Sequence, residues 1–536
     1  MNRLTLLSLA SLSLLTACPP TGVVCKPGTL PCGIGCVDPT SDRRNCSACG
    51  AACFAGQDCN EGTCSCRPGT TACGPDCVVL ETDAKNCGQC GVQCATGEVC
   101  EAVNSGDGGV RAVCRNSCSP GFTRCGLSCV EVASDVANCG ACGVTCEQGQ
   151  RCIAGVCDYA AVAACYWSGQ VVGFDPASGV KGPLSDLGSN PAALARLGTS
   201  LLVADQTDQR LYSAVSSGSG TYAVSTFAAT TGAVANQVLV DRPYVYVANA
   251  SSGTLQVLKE GVDAGVVRLD AGVEGTLVLG TVAEVQLGMN TFPQGVAKVG
   301  STLWVPLYGG FGASGADAGQ EVARLDVSNP DQPTLAGRVS LKGLDLKPFD
   351  GGTPVARPWA IASKGTQVYV ALNNLNPDTY VVEGPGLVAQ VNTDDAGVTL
   401  LDLGAADCLN PQWLGFVGER LVVSCGGRIT YSATFSVEAV TASGAVVLDA
   451  TGARVGAAWN AAGVADLDAG FMPMLPGRFA VVNGQVILTD QNGGRVVVLE
   501  VGDAGVTEVR GVSTALNICP VSATSGVANV ADVVAR

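Results

Sequence analysis

Tyr244-Val245-Tyr246-Val247-Ala248-Asn249, a break at Ser251-Ser252-Gly253, then Thr254-Leu255-Gln256-Val257. Apolar and polar residues alternate on both sides of a polar tight turn, the pattern of two antiparallel strands. The unit recurs as Leu201-Leu202-Val203-Ala204-Asp205 before Arg210-Leu211-Tyr212, and again at Leu303-Trp304-Val305, Val368-Tyr369-Val370-Ala371, Leu421-Val422-Val423-Ser424-Cys425 and Val486-Ile487-Leu488-Thr489-Asp490. A further copy stands first, Ala163-Ala164-Cys165-Tyr166 before Gln170-Val171-Val172-Gly173-Phe174. Strand pairs repeating about every 50 residues predict an all-β chain whose region 158–536 is a β-propeller, with seven blades.

Before most copies the chain presents a residue followed by proline: Asn190-Pro191, Phe292-Pro293, Arg357-Pro358, Asn410-Pro411 and Cys519-Pro520. Each introduces an expected inner strand. The last lacks a full set of following strands, and the first copy lacks an inner strand. A composite blade made from both ends answers both deficits and removes exposed strand edges; whether 526–534 adds a strand to it stays open. In this alignment Cys408 and Cys425 flank one blade's inner strands, while Cys165 and Cys519 hold matching positions in the composite blade. Disulfides Cys408–Cys425 and Cys165–Cys519 are therefore expected.

The stretch Arg357-Pro358-Trp359-Ala360-Ile361 through Val368-Tyr369-Val370 resembles the YVTN/lactonase-like seven-bladed propellers, in strand pattern only, across most of 162–536. In that family the central channel face binds ligands. The resemblance thus implies Asn190, Arg357, Trp359, Asn410 and Trp413 as a candidate ligand face. The plainer alternative is that these residues satisfy loop backbone and pack blades together.

Between Cys25 and Cys157 the cysteines fall into three octets. These are Cys25, Cys32, Cys36, Cys46, Cys49, Cys53, Cys59, Cys64; Cys66, Cys73, Cys77, Cys87, Cys90, Cys94, Cys100, Cys114; and Cys118, Cys125, Cys129, Cys139, Cys142, Cys146, Cys152, Cys157. The first six intervals are 7, 4, 10, 3, 4 and 6 in every octet. Three disulfide-rich, loop-rich repeats are predicted at 25–64, 66–114 and 118–157. Repeats this short bury too little apolar surface to fold without cross-links. Eight cysteines allow 105 pairings, and spacing does not choose among them. Cys46-Ser-Ala-Cys49, Cys87-Gly-Gln-Cys90 and Cys139-Gly-Ala-Cys142 also have zinc-ligand spacing, but even octets downstream of an export signal favour disulfides, and no metal or cofactor is expected. Cys36-Val37-Asp38, Asn86-Cys87-Gly88-Gln89-Cys90-Gly91 and Asn138-Cys139-Gly140-Ala141-Cys142-Gly143 resemble the Stig1-like cysteine-rich repeats of secreted proteins. That resemblance implies a non-catalytic extracellular module. The short links between repeats, Ser65 alone in one case, predict a semi-rigid spacer.

The N-terminus supplies the export signal: Arg3, an apolar run Leu4–Leu15, then Thr16-Ala17-Cys18. The run is shorter than the roughly 20 residues a membrane-spanning helix needs. Leu15-Thr16-Ala17-Cys18 resembles the lipobox of bacterial lipoproteins. The resemblance implies a signal peptide at 1–17, lipidation of Cys18, a short linker at 18–24, and a protein held on a membrane by its acyl chains. Pro19, where inner-membrane retention signals usually carry aspartate, points to the outer membrane. Cysteine arithmetic agrees: of 29 cysteines, three octets and two propeller pairs leave one, Cys18.

The net charge is −16, with 30 basic and 46 acidic residues and no histidine. No basic patch exists to neutralise phosphates, so nucleic acid is not an expected partner. The missing imidazole removes the usual neutral-pH base and excludes a Ser-His-Asp or Cys-His site. Asp-Ala-Gly at Asp263, Asp270, Asp317, Asp395, Asp468 and Asp503 lacks the alternating acids of a calcium loop and reads as turns. No catalytic residue is assigned. The expected function is non-catalytic binding or adhesion toward a protein or glycan ligand; the alternative is a hydrolase or lyase of a sugar-derived substrate such as a lactone.

Overall fold

A computed structural model describes residues 28–32, 35–54, 56–67, 69–104, 110–261, 278–431, 437–461, 474–509 and 516–536. The expected leader at 1–17, Cys18, Cys25 and the turns expected at Asp263, Asp270 and Asp468 lie outside these residues. The chain forms two compact units, one running to Val132 with Ala141–Gly143, the other comprising Ala133–Gly140 and Val144–Arg536.

The first unit is built of short hairpins stapled by cystine. Pairs such as Gln57–Asn60 with Thr63–Cys66, and Thr71–Cys73 with Asp76–Val78, are antiparallel. The second repeat bonds Cys66–Cys77, Cys73–Cys90, Cys87–Cys100 and Cys94–Cys114. The first shows the same scheme in Cys32–Cys49, Cys46–Cys59 and Cys53–Cys64. In octet order the pairing is first to third, second to fifth, fourth to seventh and sixth to eighth.

The recurrent asparagine has a local cause. The Asn45 side-chain carbonyl accepts the Gly50 N–H at 2.8 Å, bridging the Cys46–Cys49 loop, and its amide donates to Asp42 at 3.0 Å. Asn86 does the same with Gly91 at 2.8 Å and Asp83 at 3.2 Å. Asparagine is required because one side chain must accept and donate at once.

The second unit is a propeller. Among the described residues seven antiparallel sheets follow in chain order, each of at least four strands. The repeated apolar segments form the second strands, among them Ser200–Asp205, Tyr244–Asn249, Arg420–Cys425 and Gln485–Asp490. Their residues are buried on both faces because sheets pack on either side: Leu201, Leu202 and Val203 have no exposed surface. Among the described residues six apolar clusters each join two successive sheets, and a seventh joins the last to the first through Phe174, Ile487, Val498 and Val533. Full burial of one such side chain contributes about 1.5–3 kcal/mol.

The composite sheet differs in detail from the expectation. Val530–Ala535 pairs antiparallel with Ala161–Cys165 and packs between the inner strands Pro191–Leu197 and Pro476–Val482. Pro520 begins no strand; residues 522–527 instead close a turn on Ser522. The inner strand thus comes from 530–535.

The third repeat is divided between the units. Cys118–Cys129 and Cys125–Cys142 belong to the first; Cys139–Cys152 and Cys146–Cys157 belong to the second. By compactness the division lies near Val132, within the third repeat. The cause is packing: the hairpin Gln150–Ile153 with Val156–Tyr159 seats itself on the first two sheets. Ser216 donates to the Cys157 carbonyl at 3.0 Å, and the buried Asp158 carboxylate accepts from Tyr222 and Arg536. The Tyr159 ring lies where side chains on Gly173 and Gly182 would stand.

Candidate functional site

At one end of the ring the inner strands begin and the second strands end. Backbone and side-chain polar groups crowd there, and the sequence meets them with a repeated latch. The Asp205 carboxylate accepts the Asn190 N–H at 2.6 Å, and Asp490 accepts the Leu475 N–H at 3.1 Å, each holding the residue before a proline. Cys425 and Cys165 end the corresponding strands of their own sheets and are bonded to Cys408 and Cys519, the two pairs expected in this region.

Inside this latched end lies a cavity of about 180 Å³, lined by Tyr166, Trp167, Ala192, Gln206, Asn236, Trp359, Arg478, Gln491, Asn529 and Ala531. These residues come from five sheets, so the cavity sits on the ring's axis. Tyr166 donates to Gln206 at 3.1 Å, Gln206 donates to Asn236 at 3.2 Å, and Asn236 donates onward to Gln294. Across from them Asn529 donates to the Gln491 carbonyl at 2.9 Å. Burial raises the Tyr166 phenol, with the Asp205 charge adding to it, so it stays a neutral donor.

Arg478 is the cation of the cavity, and it is held from below. It contacts Asp532 at 3.2 Å, donates to the Asn236 carbonyl, and lies 4.8 Å above the Trp413 ring. Asp532 also accepts the Leu194 N–H at 2.8 Å. Burial pushes the Asp532 carboxyl upward, opposed by Arg478 and by backbone N–H groups. The lining itself carries neither carboxylate nor imidazole. It offers amides, two indoles, a phenol and a balanced guanidinium, which suits an uncharged polar group with an apolar side.

The five sequence-derived candidates divide. Trp359 lines the cavity, its indole set edge-on to Tyr308 at 5.2 Å. Trp413 supports Arg478 from beneath. Asn190 serves the loops, donating to the Tyr166 carbonyl at 3.0 Å and accepting from Thr207 at 2.6 Å. Asn410 adopts φ of 52°, and its carbonyl accepts the Gly426 N–H at 3.0 Å. Arg357 does not line the cavity. It is fully buried, sandwiched between Tyr308 at 4.8 Å and Tyr380 at 4.6 Å, and donates to the Gly309 and Gly310 carbonyls at 3.3 and 3.1 Å.

Arg478, Gln206, Asn236 and Asn529 were not among the expected residues. For Arg478 a signal existed: Leu475-Pro476 is another proline lead-in, placing Arg478 at the position of Trp413 after Pro411. In the repeats, three cysteine sulfurs such as those of Cys46, Cys53 and Cys64 gather within 4.8 Å. They do so because two disulfides stack, and Cys46 and Cys49 bond to different partners, Cys59 and Cys32.

Residues 103–160 match the Stigma-specific STIG1-like protein family. A search of curated proteins finds no match to the chain. Among solved structures, a candidate 6-phosphogluconolactonase from Bacteroides fragilis is 15% identical, with a TM-score of 0.43, over 66% of this chain and 96% of that one. Apo AztD from Citrobacter koseri is 14% identical with a TM-score of 0.39, over 70% and 97%. The Pan2 WD40 domain of Neurospora crassa is 10% identical with a TM-score of 0.36, over 59% and 78%. These likenesses assign no activity to this chain.

Proposed function

We propose that this chain is a lipid-anchored cell-envelope protein whose propeller binds a ligand without turning it over. Acylation at Cys18 would hold it on the outer membrane, with the tandem cysteine-rich repeats as a spacer. The observation that carries the binding reading is the axial cavity itself. Its only cation is already balanced by Asp532, and its remaining polar groups are neutral amides and a phenol. Such a lining selects an uncharged polar group, offered by a protein or a glycan; it gives a hydrolytic step no carboxylate or imidazole, and burial keeps its phenol protonated.

Binding is tested by thermal-shift screening of neutral oligosaccharides and peptides against the full chain. A ligand-induced rise in Tm that disappears in Trp359→Ala supports the reading. Turnover of a lactone or glycan, lost in Arg478→Ala, would replace it with the hydrolase alternative. The anchor is tested separately: metabolic labelling with palmitate is expected in the native chain and absent in Cys18→Ala. Small-angle scattering showing a compact particle would sink the spacer.

A further inference from the structure

Beside the axial cavity, at the same end of the ring, stands a second surface. Phe311 and Met289 are the two most exposed large apolar residues described, at 78% and 89%. Scattered exposed apolar residues are ordinary; contiguous ones on a stiff base are not. Phe311 lies 6.4 Å from Phe292 and 5.4 Å from Tyr380, ring to ring. Asn290, next to Met289, approaches Gly310, next to Phe311. The rings of Phe311, Phe292 and Tyr380 thus form one platform drawn from three loops, and Met289 stands exposed on the loop that carries Phe292.

The platform is braced from beneath by Arg357. Its guanidinium is gripped by Tyr308 and Tyr380 and bonds the Gly310 and Pro377 carbonyls, at 3.1 and 3.4 Å. That fixes the loop bearing Phe311 against the loop bearing Tyr380. Pre-ordered aromatic side chains lose little entropy on binding, the trait of interface hot spots. The charge around them is predominantly acidic, with Lys342, which pairs with Asp317 at 3.5 Å, as a surface cation beside them. Residues 288–293, 308–320 and 375–383 contain Asp317, Asp378 and Glu383 and neither lysine nor arginine. Asp378 comes within 4 Å of the Cβ position of Gly312.

We propose that this platform docks a polypeptide segment presenting an apolar side chain beside lysine or arginine. Apolar contact with Phe311 and Met289 would supply affinity, and the acidic rim would select the cationic neighbour. An anionic lipid surface would be repelled by the same rim. The proposal names a partner class for the binding reading above but rests on different residues, so the two fail separately.

The test uses a phage-displayed library of twelve-residue peptides selected on the immobilised full chain, with the best peptide synthesised and titrated. Enriched peptides are expected to carry an aromatic or aliphatic residue next to Lys or Arg. Phe311→Ser, whose exposed site leaves Tm unchanged, should weaken the peptide about tenfold. Asp378→Asn should weaken it about threefold and flatten its salt dependence. Loss in Phe311→Ser with full binding in Trp359→Ala upholds the platform and leaves the cavity to its own test. Equal binding by Phe311→Ser overturns the proposal. So does enrichment of peptides without cations, concentration-dependent dimerisation abolished by Phe311→Ser, or Phe311-dependent sedimentation with phosphatidylcholine vesicles.

Discussion

Cys425 holds the position in its sheet that Asp205 holds in another: Cys425 is paired with Pro411 as Asp205 is paired with Pro191. Asp205 fixes the residue before its proline through a hydrogen bond, whereas Cys425 fixes its lead-in loop through a covalent bond to Cys408. One structural need is met by two chemistries.

Exchanging those chemistries is informative. Cys408→Ser with Cys425→Ser is expected to cost about 3 kcal/mol, the entropy of opening a short loop. Cys408→Ser with Cys425→Asp should recover about 1 kcal/mol of that, by giving the Asn410 N–H an acceptor. Removing Cys165–Cys519, whose partners are 354 residues apart, should cost more, on the order of 5 kcal/mol. Denaturant titrations of the three variants give the order directly.

Arg478 and Asp532 are a nearly buried pair, with side chains 11% and 9% exposed. Arg478→Ala leaves a carboxylate without its countercharge and should cost about 3–5 kcal/mol. Arg478→Met with Asp532→Asn removes both charges and should cost much less. If calorimetric melting ranks the double variant at or below Arg478→Ala, the carboxylate is not ionised in the native protein.

Gly182→Ala should destabilise the seat of the third repeat. The added Cβ would stand 2.6 Å from Cε2 of Tyr159, a rigid ring that itself fills a buried slot. The expected cost is about 2 kcal/mol, read as a lower Tm with earlier proteolysis near Tyr159. An unchanged Tm would show that Tyr159 leaves its slot freely.

Tyrosine ionisation should be biphasic. Burial pushes the phenols of Tyr246 and Tyr308 up to about 12, from an ordinary value of 10.0. Their contribution to stability is complete below pH 10 and is lost as pH rises through about 12, because only the unfolded chain ionises between. Absorbance at the phenolate band should show a late class that shrinks in Tyr308→Phe.

The propeller's second strands were legible because a buried strand between two packed sheets must be apolar along its length and stop at a turn. Leu201–Asp205 and Val486–Asp490 show both. The closing strand was misplaced because Cys519-Pro520 copies the lead-in of Asn190-Pro191 and Asn410-Pro411, while Val530–Ala535 has no proline to mark it. Pairing inside the octets stayed illegible, since cysteine spacing fixes chain length between sulfurs and not their direction. Of the site, Trp359 was readable from its place after Pro358. Arg357, two residues before Trp359, is expected at a ligand face, yet its guanidinium turns beneath the loops; the backbone carbonyls of Gly309, Gly310 and Pro377 that hold it there leave no trace in sequence.

The inner strand at 530–535 has a consequence in time. On export from the N-terminus, Cys165 emerges 354 residues before Cys519. Through that interval the first sheet waits with its inner edge unpaired, a template for the wrong strand. Cys165 waits too, and the thiols of Cys408 and Cys425 arrive before its own partner does. Correct assembly therefore calls for either rapid mutual capture of those two or an isomerase that undoes a premature bond.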